Sequence, residues 1–190
     1  MARIKLTDDL KKAISGMSPA QKDKLLFRLI AGNPPLAEKL IFDLLEGGDT
    51  QGERRTEVAN EIRKTLTTCK EDIYSPGILL LYLRDLSGII NRHVATTKDK
   101  YGEVELNLLM LNTAFEEFAQ IIRNSSPLRA RTFNEYVVKR VLKLLSLIDK
   151  LHEDLHLDFK DEFKKLGKQM SLYPPIVRLA ADLHLDVKDL

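Results

Sequence analysis

The chain has no tryptophan and a single cysteine, Cys69. One thiol cannot close an intrachain disulfide, which fits a reducing compartment. Used as a nucleophile, Cys69 would need a histidine base beside it. The plainer reading is a small, half-buried helix residue. Aromatic residues make up only 6% of the chain, so there is no stacking platform for single-stranded nucleic acid. Long apolar runs are missing as well. The most apolar stretch, residues 78–83, is followed at once by Arg84 and Asp85, whereas a membrane span needs about 20 apolar residues. The first nine residues hold no apolar segment of the signal-peptide kind. A soluble, cytoplasmic protein without membrane contact is expected.

An excess of one charge is also lacking. Thirty basic residues face 28 acidic ones, a net charge of +2, and the signs are mixed along the whole length. Non-specific nucleic-acid binding needs clustered cations that displace phosphate counterions, so the balance argues against it. The densest basic stretch is Arg129, Arg131, Lys139, Arg140 and Lys143, broken only by Glu135. It reads as the solvated face of a helix, with nucleic-acid binding as the sharper alternative.

Several chemical signatures are absent. There is no G-x-x-x-x-G-K-[ST] or G-x-G-x-x-G phosphate loop, no C-x-x-C and no G-x-S-x-G elbow. Glu116 and Glu117 are adjacent, but a di-metal carboxylate bundle needs Glu-x-x-His on two facing helices. Only Glu153 and His156 have that spacing. His93 reads as a helix-surface residue. No cofactor is expected.

One string looks catalytic: His152-Glu153-Asp154-Leu155-His156, an H-E-x-x-H pattern. On a helix, histidines at i and i+4 share a face and can hold zinc, and the glutamate serves as general base on the metal-bound water. A third ligand would have to come from Glu162, Asp182 or His184. Two observations weigh against this zinc-hydrolase alternative. Asp154 puts a charge where a buried catalytic helix would place a neutral residue. In addition, Asp154-Leu155-His156-Leu157-Asp158-Phe159-Lys160-Asp161 recurs as Asp182-Leu183-His184-Leu185-Asp186-Val187-Lys188-Asp189, identical at seven of eight positions. The second copy has Ala180 and Ala181 where the first has His152 and Glu153, so the ligand pair is not what recurs. Both copies read as the last turn of one helix, with His156 or His184 near its C-terminus, followed by Asp158 or Asp186 as the next N-cap.

What is present is helix punctuation. Thr7 caps a first helix, with Asp8 and Asp9 in its first turn and Gly16 as a left-handed stop. Ser18-Pro19-Ala20-Gln21 is a capping box with a first-turn proline, and Gly32 closes that helix. Asn33-Pro34-Pro35 opens a third, which runs to Gly47-Gly48. Breaks at Ser75-Pro76-Gly77, Tyr101-Gly102 and Asn124-Ser125-Ser126-Pro127 then divide the chain into segments 50–74, 76–100, 102–124 and 127–152. Each is long enough for a helix of about 35 Å. The first is mostly charged, with a thin stripe of Val58, Ile62 and Leu66. The other three are apolar nearly all round and should form the centre. No sustained period-two alternation appears, so no sheet is expected. One helix ending near Gly167, a second opened by Tyr173-Pro174-Pro175, and fraying final residues complete the reading.

The arrangement of Leu6, Lys11-Lys12, Met17-Ser18-Pro19-Ala20-Gln21, Leu25-Leu26, Asn33-Pro34 and Phe42-Asp43-Leu44-Leu45 resembles bacterial families of short helical proteins of unknown function. The resemblance covers the first 50 residues or so. It implies a bacterial, cytosolic, all-α protein and carries over no functional residue. The expected architecture is one all-α domain, 1–190. Residues 1–48 form three short helices, 49–152 an antiparallel bundle of four long helices, and 153–190 a short C-terminal helical pair. The expected function is a non-enzymatic protein-interaction or scaffold module that binds a protein partner or itself.

Overall fold

The computed structural model describes residues 4–190, and every regular element among them is helical. In order these are α1 (Asp8–Ser15), α2 (Pro19–Ala31), α3 (Pro34–Leu40) with a π-helical turn (Ile41–Leu45), α4 (Gln51–Thr68), α5 (Pro76–Thr97), α6 (Lys100–Glu117), α7 (Ala119–Asn124), α8 (Pro127–Ile148), a 3-10 turn (Glu153–Leu155), α9 (His156–Ser171) and α10 (Pro174–Asp182). Among the described residues no helix is long and apolar enough to cross a membrane. Where length alone suggests one domain, the chain gathers into two compact units, 1–47 and 48–190.

The first unit is built by its caps. The Thr7 side chain accepts from the Leu10 N–H, Ser18 and Gln21 form a reciprocal capping box, and Asn33 accepts from the Leu36 N–H. Gly16 and Gly32 do end their helices, both in right-handed conformation (φ −75° and −80°), where a left-handed Gly16 was expected. The left-handed glycines are Gly47 and Gly48 at the unit's end. Among residues 4–47 only Phe42 is buried.

The second unit is a bundle with α6 at its centre, packed against α4, α5, α8 and α9. This explains why the apolar residues of α6 are too many for one stripe: Leu106, Leu108, Met110, Leu111 and Phe115 are all buried, on more than one face of the helix. Helix α4 contributes the thin stripe expected of it. Ile62 and Leu66 are fully buried, and Val58, Ala59 and Cys69 are half-buried.

The four-long-helix expectation needs three corrections. Segment 102–124 is broken at Phe118, whose backbone leaves the helical region (φ −118°, ψ 20°) while its ring stays in the core. The real turn before it lies at Lys98, left-handed at φ 61°, so Gly102 sits inside α6 and not at a break. A Cβ on Gly102 would collide with the Asp99 carboxylate. Finally, α9 is a full bundle member, with Phe159, Phe163, Leu166 and Met170 buried along one face.

The C-terminus also departs from expectation. Gly167 does not end a helix; it lies within α9. A Cβ there would come within 2.5 Å of the Val187 carbonyl oxygen, so the glycine allows the chain's last segment to lie directly on the helix. Leu185 and Val187 are buried by that contact. Where fraying was expected, the terminal segment is anchored by these two side chains, while Lys188 and Asp189 are exposed.

Candidate functional site

The H-E-x-x-H string does not lie on one helix. His152 precedes the 3-10 turn, Glu153 and Asp154 are inside it, and His156 is the first residue of α9. His152 is 76% exposed, and its Nδ1 faces the Asp154 N–H at 3.4 Å. The expectation that His156 ends a helix is corrected, because it begins one. Its Nε2 is buried without a hydrogen-bond partner. Asp158 is likewise a first-turn residue of α9, not its N-cap, and accepts from the Tyr101 hydroxyl at 3.4 Å. Glu162 accepts from the Asn112 amide at 2.8 Å. Among the described residues no three His, Cys, Asp or Glu side chains converge as a metal set.

The two copies of the repeated octapeptide fold differently. The second copy ends α10. His184 is left-handed (φ 60°), its N–H donates to the Ala181 carbonyl and the Leu185 N–H donates to that of Ala180. That pair of bonds is a Schellman cap. Asp186 then accepts from the Lys188 N–H at 2.9 Å, closing a local turn instead of capping a helix. Leu157 is exposed while its counterpart Leu185 is buried.

Two polar clusters that the sequence did not single out hold the second unit together. In the first, Asp99 caps α6 through the Gly102 N–H (2.8 Å) and takes a two-pronged ion pair from Arg55 on α4. His93, buried on α5 and not on the surface as read, donates its Nε2–H to Asp99 Oδ2 at 3.2 Å. The ring of Tyr101 lies under the Arg55 guanidinium. Burial alone would push the Asp99 carboxyl upward. The bonds from His93, Gly102 and Arg55, with the charge of Arg55, outweigh it and hold the group below the usual carboxylate value. Its signal in the sequence was Asp99 three residues before Gly102, a cap overlooked in favour of the glycine.

In the second cluster Ser87, buried on α5, donates to the Leu83 carbonyl at 2.7 Å. The Tyr136 hydroxyl lies 2.6 Å from Ser87 Oγ and also donates to the Leu83 carbonyl at 3.2 Å. Arg140 on α8 donates to Ser87 Oγ (3.0 Å), Tyr136 Oη (3.1 Å) and Asn107 Oδ1 (3.2 Å). Ser87 Oγ is thus bonded to Leu83, Tyr136 and Arg140 at once. A serine inside the apolar run of α5 was the legible hint.

Arg140 also lines a groove of about 470 Å³ with Arg84, Asn91, Thr132, Glu135, Tyr136, Lys139 and Lys143. The basic stretch is therefore divided. Lys139, Arg140 and Lys143 share this groove, Arg131 pairs with Glu135 at 3.0 Å, and Arg129 lines a separate cleft with Tyr74 and Ser75. A further cleft of about 500 Å³ crosses α6 between α4 and α9. Three of its four acids are ion-paired, Glu116 with Lys165, Glu117 with Lys70 and Glu105 with Arg55, and the fourth, Glu162, accepts from the Asn112 amide. The adjacent Glu116 and Glu117 are thus surface ion-pair members.

A scan against models of protein families finds no match, and comparison with curated proteins and with solved structures finds none either.

Proposed function

We propose that the protein is a non-enzymatic helical interaction module that associates with a second copy of itself through residues 4–47. The observation that carries this reading is the apolar surface of that unit. Leu6, Leu10 and Ile14 on and before α1, Leu26, Phe27 and Leu29 on α2, and Leu44 and Leu45 on the π-helical turn are all exposed, Phe27 at 66% and Leu45 at 80%. Single apolar residues on a surface need no explanation, but eight exposed on three short elements support an interaction role. A unit with one buried side chain gains little stability from its own core.

The charges favour a like partner. Helix α2 exposes Lys22, Lys24 and Arg28, while α3 and the following turn expose Glu38 and Asp43. A two-fold contact requires one patch to complement itself, and a basic helix beside an acidic one meets that requirement.

Sedimentation equilibrium of the full chain tests the reading. A dimer is expected at micromolar concentration, and Phe27→Asp with Leu45→Asp should convert it to monomer while the helical circular dichroism of the bundle persists. A wild-type chain that stays monomeric at all concentrations overturns the proposal. So does a monomer that instead binds anionic vesicles through the same residues, which would assign the apolar face to a lipid surface.

A further inference from the structure

We infer that the groove between α5 and α8 binds a small molecule bearing a phosphate group. Arg140 lies on α8 at the wall of this groove. Its guanidinium is half-buried, and its three hydrogen bonds go to Ser87, Tyr136 and Asn107, all neutral oxygens. A guanidinium has five N–H donors, so two remain. A partly buried cation without a counter-charge is costly unless something ionic completes it.

The Tyr136 ring lies against the guanidinium, 5.1 Å from its centroid to Cζ, and the neighbouring basic side chains add positive charge. Arg84 reaches the groove from α5, and Lys139 and Lys143 reach it from α8. Two acids are close, and each is committed: Glu135 to Arg131 at 3.0 Å, and Glu103 to Lys143 at 2.7 Å. Arg84, Lys139 and Arg140 therefore share the groove with no carboxylate of their own. Three unmatched cations suit a dianion better than a monoanionic carboxylate, and arginine's planar fork matches phosphate oxygens. Thr132 and Asn91 offer neutral donors at the same groove.

The dimensions set the class of ligand. A volume of about 470 Å³ is that of a small-molecule site. A nucleic-acid track would need cations spaced along a surface, yet Arg129 and Arg131 are engaged elsewhere. Tyr136 and Ser87 position Arg140 and need not touch the ligand.

The test is isothermal titration of the full chain with inorganic phosphate and with glycerol 3-phosphate, against potassium chloride at equal ionic strength. Saturable binding of both phosphate probes is expected, at least tenfold weaker in Arg84→Gln/Lys139→Gln, whose substituted side chains are exposed and whose circular dichroism should be unchanged. If that variant does not fold, Lys139→Glu alone supplies the comparison. Heat no larger than that of chloride, equal affinity in the variant, or tight salt-sensitive binding of a single-stranded oligonucleotide in place of the small phosphates would each overturn the assignment.

Discussion

Arg55 grips Asp99 with two parallel bonds, Nε to Oδ2 at 2.7 Å and Nη2 to Oδ1 at 3.1 Å, and so ties α4 to the start of α6. The carboxylate is buried, and its other oxygen contacts go to His93 and the Gly102 N–H. Removing its charge leaves the Arg55 guanidinium with only the half-exposed Glu105 as counter-charge. Asp99→Asn should lower stability by about 2–4 kcal/mol in urea denaturation. The sign with pH is fixed by the direction of the shift. A carboxyl held below its ordinary value of 3.8 contributes stability that is full above that value and is lost as pH falls through the folded-state value. Acid titration of the midpoint should therefore show a decline below about pH 4 that is shallower in Asp99→Asn. Equal slopes would remove Asp99 from the account of acid unfolding.

Gly167 and Gly88 form a matched pair of probes. A Cβ at Gly167 meets the Val187 carbonyl oxygen at 2.5 Å, whereas nothing lies within 4 Å of one at Gly88. Gly167→Ala should displace the terminal segment, expose Leu185 and Val187, and cost about 2–4 kcal/mol. Limited proteolysis should then release the last residues faster than in the wild type. Gly88→Ala should be neutral or stabilising by up to about 1 kcal/mol, because it only raises helix propensity. A mild effect at Gly167 would mean that the tail contact adds nothing.

Tyr136 and Ser87 should behave as one unit. Each hydroxyl depends on the other and both accept from Arg140. Tyr136→Phe and Ser87→Ala are each expected to cost about 1–2 kcal/mol, and the double variant should cost less than their sum. A thermodynamic cycle with coupling of about 1 kcal/mol is the expected result. Strict additivity would show that the hydroxyls act separately.

Much of the helical outline was legible because caps are written in local residue types. Thr7, Ser18 with Gln21, Asn33 and Ser75 all cap the helices they precede. The failures occur where a distant residue decides. Gly102 and Gly167 look like helix stops, yet each is glycine because another group occupies the space of its Cβ. His156 and His184 sit in matching octapeptides and take opposite ends of helices, since one segment leads into a core-packed helix and the other lies down on it. The zinc reading of His152 and His156 assumed a helix that the backbone does not form there. Arg55 and Asp99, 44 residues apart, carry no local pattern that links them.

Helix α6 packs against four other helices, and that placement bears on how the unit comes apart. Losing any one of the four wets apolar side chains that the others share. Partial disassembly of the second unit would begin at elements remote from it, while the α6 amides would remain shut to solvent until the whole body opens.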